Sequence, residues 1–305
     1  MNYTNELNLP EPLVDAVKSN HAYKEHRYSV TEVLGGTCEA ILKRRHDGEI
    51  TEDVSQRIWA LFGTAVHEVL RKAKGTETQL QENWMSVPVD GTEYELSGIF
   101  DLYDDATGTV TDYKTASTWK VKFGDFSDWR RQTLAYCWML RKLGFDARRG
   151  EIVAFLKDHS KRDAKLKSND GYPPHPVFQI SWDFTEQDFE DMESYVTWWF
   201  SEVMHEETVQ DLHLEPCSPE QRWHKPDKWA VMKKGQKRAI RVYESEDEAQ
   251  ERCDSENRAA RERSEVEKHY VEFRQGEDTR CQSYCSVAQF CPYGRKLSQS
   301  EPEAE

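Results

Sequence analysis

Two alternating segments, at 94–103 and 109–115, flank the turn-forming run Asp104-Asp-Ala-Thr-Gly-Thr109. This pattern predicts two strands joined by a turn. Side chains alternate across a strand, so Asp112 and Lys114 share a face, and pairing of the two strands brings Asp101 beside them. Two carboxylates and an amine then converge on a small volume. Carboxylates held that close repel one another, and a hard divalent cation relieves the repulsion. The lysine can orient a water or stabilise charge growing on a phosphate. These residues point to metal-assisted phosphodiester hydrolysis.

The segments around this pair predict a mixed α/β order. Residues 1–28, with Pro10 and Pro12, read as an irregular lead-in. Helical periodicity follows at about 29–46 and 52–74, then strands near 84–90, 94–103 and 109–115. An amphipathic helix at about 126–144 stops at Gly144, Ile152–Leu156 and Val177–Phe184 read as strands, and Thr185 with Asp188 caps a helix to about 208. The order implies a mixed central sheet with helices on its faces, over 29–210. Residues 217–276 read as a small ββαβ insertion, with a Lys233–Lys237 hairpin tip, a charged helix at about 245–264 and a strand at His269–Phe273. A cysteine-bearing segment spans 277–297, and 298–305 is an acidic tail expected to be disordered.

Composition restricts the class. No apolar run approaches the length of a membrane span and the N-terminus lacks a signal-peptide pattern, so the expectation is a soluble cytoplasmic protein without a membrane partner. The net charge of −15 opposes long-range attraction to a polyanion, but binding follows local potential. Basic clusters stand at Lys43–Arg45, Arg130–Arg131, Arg148–Arg149 and Lys157–Lys167. Seven cysteines in such a chain favour metal ligation or buried thiols over disulfides.

Three further features sharpen the Asp101–Asp112–Lys114 reading. His67 lies on a predicted helix whose apolar stripe is Ile58, Phe62, Ala65 and Val69; it shares its own face with Ala60, Gly63 and Thr64, small residues that admit a close neighbour. A neutral imidazole there is a suitable metal ligand. Gln132 and Tyr136, four residues apart, share a helical face. Arg131 beside them suits a phosphate.

The order His67, Gly98-Ile-Phe-Asp101, Asp112-Tyr-Lys114 and Gln132-x-x-x-Tyr136 resembles the RecB-like branch of the PD-(D/E)XK nucleases over roughly 29–210. The resemblance implies a restriction-endonuclease-like core. It implies Mg²⁺ or Mn²⁺ on His67, Asp101 and Asp112, with the backbone carbonyl of Tyr113 assisting. Lys114 would position the attacking water, and Gln132 and Tyr136 would shape the site around the DNA strand. Asp112 stands where the wider superfamily more often has Glu.

Cys281, Cys285 and Cys291 fall within eleven residues, a density that points to a metal or cluster but leaves one ligand short. An N-terminal cysteine completing a C-terminal trio resembles the iron–sulfur members of the same branch, such as the CRISPR-associated RecB-like exonucleases and AddB. The resemblance implies Cys38 as the fourth ligand of a [4Fe–4S] cluster that ties the two ends of the nuclease domain together; the spacing of the trio departs from that branch's by one residue. Four thiolates also suit Zn²⁺. Cys137, Cys217 and Cys253 read as bystanders.

Three functions follow. The first is a metal-dependent DNA exonuclease acting on single strands or duplex ends, in recombination, repair, phage or CRISPR-adaptation processing. The second is a structure-selective endonuclease or nickase, and the third a non-catalytic DNA-binding scaffold. No Gly-x-x-x-x-Gly-Lys-Ser/Thr loop occurs, so a separate helicase, recombination or DNA-capture protein is the expected companion.

Overall fold

The alternation between residues 79 and 116 becomes three neighbouring strands of a mixed sheet. The computed structural model describes all residues except 19–21, 167–169, 265, 267 and 301–305. They form two units, Met1–Glu215 and Pro216–Glu305; of the tail expected to be disordered over 298–305, residues 298–300 are helical and 301–305 lie outside the described residues.

The first unit runs β1 (Asn2–Thr4), α1 (Glu11–Val17), β2 (Arg27–Ser29), α2 (Val30–Val33), α3 (Thr37–Arg45), β3 (Thr51–Asp53) and α4 (Ile58–Arg71). It continues with β4 (Gln79–Pro88), β5 (Glu95–Asp104), β6 (Thr109–Ala116), α5 (Thr118–Phe123) and α6 (Ser127–Lys142). Then come β7 (Arg149–Leu156), α7 (Lys161–Leu166), β8 (Val177–Asp183) and α8 (Glu186–Glu206). The expected mixed central sheet flanked by helices is present, in the order β2-β5-β6-β7-β8 with β4 also on β5.

Strand β4 runs antiparallel to β5 along its whole length. The opposite edge of β5 is shared: β2 takes Glu95–Ser97 in parallel and β6 takes Leu102–Asp104 antiparallel. Neither takes the stretch between. Strands β5 and β6 therefore fork just beyond their turn, which Gly108 closes at φ +65. Strand β7 continues parallel to β6, and β8 antiparallel to β7.

Local chemistry explains the elements. Ser29 and Glu32 form a capping box that starts α2. One helix was expected over 29–46, but Gly35 and Gly36 split it, and Gly36 in an extended conformation caps α3. The lead-in is not irregular: it holds β1, α1 and β2. Its prolines open α1, where a missing N–H has no intrahelical partner to lose. Thr185 and Asp188 cap α8 as expected, and Gly144 at φ +95 ends the turn after α6. Aromatic packing of Tyr28, Tyr94, Trp199 and Phe200 fills one side of the sheet.

Helix α4 meets the sheet at Gly63, one of the small residues expected to admit a close neighbour. Phe62, Ala65 and Val69, half of the apolar stripe and more, are exposed, while Gly63 meets β6: a Cβ there would lie 3.6 Å from Thr115 Oγ1. Gly63 lets the helix backbone approach the strand, while Ile58 and Leu61 pack on Val14, Val17 and Val54; Ala60 and Thr64 are exposed.

The second unit runs β9 (His224–Lys225), β10 (Lys228–Lys233), β11 (Arg241–Tyr243), α9 (Glu246–Glu262), β12 (His269–Arg274), β13 (Glu277–Asp278), α10 (Thr279–Ser283) and α11 (Pro292–Ser300). The ββαβ pattern forms a sheet ordered β11-β10-β12, with Ala249 and Cys253 of α9 packed on Val231. Among the described residues no helix is long and apolar enough to cross a membrane.

Candidate active site

The fork between β5 and β6 holds the first carboxylate. Past the last β5–β6 pair at Leu102 and Thr111, Asp101 turns its Oδ2 to the backbone N–H of Tyr113, which donates at 2.6 Å. A side chain thus replaces the ladder bond that the fork removes. Asp101 is 7% exposed and Asp112 3%.

Helix α4 lays His67 over this carboxylate, Nδ1 standing 3.0 Å from Asp101 Oδ1 and 3.5 Å from Glu82 Oε1. Glu82 was absent from the residues expected at the site. The β4–β5 register, Gln81 to Leu102 and Asn83 to Phe100, sets it directly across from Asp101, and opposed residues of an antiparallel pair project on one face. Its backbone is left-handed, φ +50, a conformation that costs a non-glycine residue about 1–3 kcal/mol. Ligand atoms of His67, Glu82 and Asp101 lie within 4.8 Å of one another, a set of one imidazole and two carboxylates that suits a divalent cation.

Electrostatics express the same demand for positive charge. The hydrogen bond to Asp101 raises the His67 pKa; burial opposes it, and the charges of Asp101, Glu82 and Asp112 add to the rise. Burial raises Glu82, helped by repulsion from Asp101 and opposed by His67.

Asp112 and Lys114 share a face of β6 as expected, Nζ 2.7 Å from Asp112 Oδ2. Lys114 thus compensates the charge of the buried Asp112 carboxylate directly. Burial pushes the Asp112 carboxyl up; Lys114 pulls it down and Asp101 adds to the rise. Lys114 donates to Gln132 Oε1 at 2.7 Å, and Gln132 Nε2 to the Tyr136 hydroxyl at 3.2 Å. Tyr136 reaches the fork because position 98 is glycine: a Cβ there would lie 2.9 Å from its ring and 3.1 Å from Val30.

Arg131 is not part of this chain. Its guanidinium lies 4.6 Å over the ring of Tyr195 in α8. Several expected basic clusters are committed to internal pairs: Lys43 with Glu39 at 2.8 Å, Arg44 with Glu32 at 2.9 Å, Arg45 with Asp211 at 2.7 Å, Arg130 with Asp188 at 2.5 Å and Arg149 with Asp183 at 3.1 Å. Basic charge near the fork comes with aromatic rings instead. Helix α5 leaves the end of β6, bearing Trp119 (57% exposed), stacked on Phe123 at 5.8 Å with Lys122 over its ring at 5.1 Å. Trp59, at the start of α4 and 62% exposed, carries Lys157 at 4.0 Å over its ring. Lys157 follows β7 and its N–H bonds Ala116 at the end of β6.

The cysteines divide. Cys38 is in α3 of the first unit, 1% exposed, Cys137 in α6 and Cys253 in α9, both buried. Cys281, Cys285 and Cys291 are in the second unit, each half-buried, and Cys217, expected as a bystander, is among them, close enough for its charge to act on Cys281.

The PD-(D/E)XK nuclease superfamily model matches residues 20–292. No curated protein matches. Solved structures similar to the chain include SSO0001, at 16% identity and TM-score 0.46 over 64% of this chain and 85% of that one. An alkaline exonuclease from Laribacter hongkongensis shows 12% identity and TM-score 0.40 over 65% and 95%. A phage-related exonuclease from Haemophilus somnus 129PT shows 13% and 0.28 over 48% and 68%.

Proposed function

The chain belongs to the PD-(D/E)XK nuclease superfamily, and on that premise we propose that it is a divalent-metal-dependent deoxyribonuclease, acting as an exonuclease on single strands or DNA ends. The observation that carries the reading is the convergence of His67, Glu82 and Asp101 ligand atoms within 4.8 Å beside the buried Asp112, which Lys114 meets at 2.7 Å.

These residues fit a hard cation. His67, Glu82, Asp101 and Asp112 would hold Mg²⁺ or Mn²⁺, with the Tyr113 carbonyl as a further donor. The bound metal would polarise the phosphodiester and lower the pKa of a water. Lys114 orients the attacking water and offsets charge that develops on the phosphate. Gln132 fixes the direction of the Lys114 ammonium, and Tyr136 fixes Gln132 in turn. The rings of Trp59, Trp119 and Phe123 suit unstacked bases, and Lys122 and Lys157 beside them suit the backbone. This supports strands with unpaired bases as the substrate. Cys281, Cys285 and Cys291, with Cys38 as the fourth ligand that the resemblance implies, would hold a structural [4Fe–4S] cluster, with Zn²⁺ as the alternative.

The test is cleavage of end-labelled linear single-stranded DNA with Mg²⁺ or Mn²⁺, beside Asp112→Ala and Lys114→Ala and a covalently closed circle. Label released from the linear strand by the intact protein alone, and suppressed by chelator, is the expected result. Cutting of the circle moves the assignment to an endonuclease. DNA binding without cleavage under either metal moves it to a scaffold.

A further inference from the structure

We infer that Cys217, together with Cys281, Cys285 and Cys291, forms a four-thiolate iron–sulfur site contained wholly within residues 216–305. The inference rests on the metal reading of the cysteine trio above and changes its fourth ligand from Cys38 to Cys217.

Backbone geometry brings the four together. The segment after Cys217 is tied to the segment that precedes and carries Cys281. Arg280 N–H donates to Arg222 O at 3.1 Å and Arg280 Nη1 to Gln221 O at 3.2 Å. Arg222 Nη1 reaches back to the carbonyl of Cys217 itself at 2.9 Å, while its Nε lies 3.3 Å from Asp278. The short strands β9 and β13 pair His224 with Asp278. Gly276 permits the approach, since a Cβ there would lie 2.4 Å from Lys225 O.

The cysteine loop is itself closed on both sides. Cys285 N–H donates to Arg280 O at 2.8 Å and Cys291 N–H to Val287 O at 3.1 Å. Val287 is buried, and Gly294 packs on the loop, where a Cβ would lie 2.3 Å from Ala288 O. Tyr293 bonds the same Asp278 carboxylate that Arg222 and His224 hold. One buried aspartate thus joins the segment after Cys217 to the helix after Cys291.

The thiols are near enough to feel each other. Cys285, Cys217 and Cys291 each lie close enough to Cys281 for charge on one to act on it. The iron–sulfur assignment is carried over from the reading above, since four thiolates suit a [4Fe–4S] cluster as well as Zn²⁺, and the metal content measured below separates the two.

The test uses the full chain purified without oxygen, as wild type, Cys217→Ser, Cys38→Ser and Cys281→Ser, with iron, sulfide and zinc content and visible absorption as readouts. The expected result is iron and sulfide in wild type and Cys38→Ser, and their loss from Cys217→Ser and Cys281→Ser. Retention by Cys217→Ser with loss from Cys38→Ser overturns the inference while leaving the metal reading standing. Zinc with the same pattern of loss overturns the cluster and keeps the ligand set. Wild type that holds neither metal after reconstitution overturns the metal reading itself. Folding of the variants is removed from the question by alkylating native wild type and mapping the thiols by mass. Cys217 protected until chelator is added supports the assignment, and Cys217 alkylated at full rate in the loaded protein overturns it.

Discussion

Glu82 faces Asp101 across the β4–β5 pair, and both carboxylates reach the same nitrogen of His67, at 3.5 and 3.0 Å. Two acids and an imidazole so placed repel or share protons until a cation joins them. The left-handed backbone of Glu82 is local strain at the point where a ligand would be recovered from it. Glu82→Gln keeps size and removes charge. Calorimetric titration with Mn²⁺ is expected to show affinity reduced about 10- to 100-fold, with unfolding temperature in chelator unchanged or raised. Unaltered Mn²⁺ affinity would remove Glu82 from the site.

The Lys114–Gln132–Tyr136 chain predicts a graded series. Lys114→Ala loses the group that orients water, and kcat is expected to fall about 10²- to 10⁴-fold with DNA affinity nearly kept. Gln132→Ala leaves the ammonium present but undirected, an effect of about 10- to 100-fold on kcat. Tyr136→Phe removes only the hydroxyl that Gln132 Nε2 reaches and should be mildest. Single-turnover rates check the order; Gln132→Ala at or below Lys114→Ala would mean that Gln132 has a role of its own.

The ring-and-lysine rim predicts selectivity for unpaired bases. Trp119→Ala and Trp59→Ala each remove one stacking surface, worth about 1–3 kcal/mol per base, so the Kd for a single strand should rise about 5- to 100-fold. Blunt duplex affinity should change far less. Anisotropy titrations at one fixed salt concentration compare the two, because electrostatic affinity moves with salt. Equal losses on both substrates would assign the rim to packing.

Stability should respond to pH through His46. Burial pushes this imidazole down, but hydrogen bonds to Asp211 and Glu49 and their charges outweigh it, so its pKa rises above 6.5. A raised folded value means the stabilisation is complete below 6.5 and is lost as pH climbs through the folded pKa. Asp211 is depressed, burial opposing and Arg45 and His46 prevailing; its share is present above 3.8 and lost as pH falls through its folded value. His46→Gln should therefore destabilise most between about pH 4.5 and 6.5, by about 1 kcal/mol or less, and least at pH 8.5. Urea midpoints at the two pH values give the comparison.

Much of this was legible because neighbouring residues carried it. Alternation about the Asp104–Gly108 turn defines β5 and β6, and the capping pairs at Ser29 and Thr185 mark where helices begin. Glu82 was hidden in Gln79-Leu-Gln-Glu-Asn83, a polar start to β4 with no alternation to show it; only the ladder register aligns it with Asp101. Gly63 was legible as a residue that admits a close neighbour, and it meets β6; the exposure of Phe62, Ala65 and Val69 was not, because apolar periodicity ordinarily marks a buried face. Lys43–Arg45 looked available for a polyanion, yet Arg44 and Arg45 pair with Glu32 and Asp211, which lie 12 and 166 residues away. Cys217 was likewise divided from its neighbours by a whole ββαβ unit.

Gly98 is where fold and chemistry meet most tightly. Its missing Cβ is what lets the Tyr136 ring enter the gap between β2 and β6 on the edge of β5. Gly98→Ala would place a methyl 2.9 Å from that ring and 3.1 Å from Val30, and such overpacking costs about 1–3 kcal/mol. If Tyr136 gives way, Gln132 loses its anchor and Lys114 its direction, so kcat should fall together with the unfolding midpoint. The double variant Gly98→Ala with Tyr136→Ala relieves the clash. It should recover part of the stability relative to the sum of the two single changes, a coupling that double-mutant analysis of urea midpoints reads directly. Strict additivity of the two changes would show that Tyr136 does not depend on Gly98, and that the ring is held in the fork by other contacts.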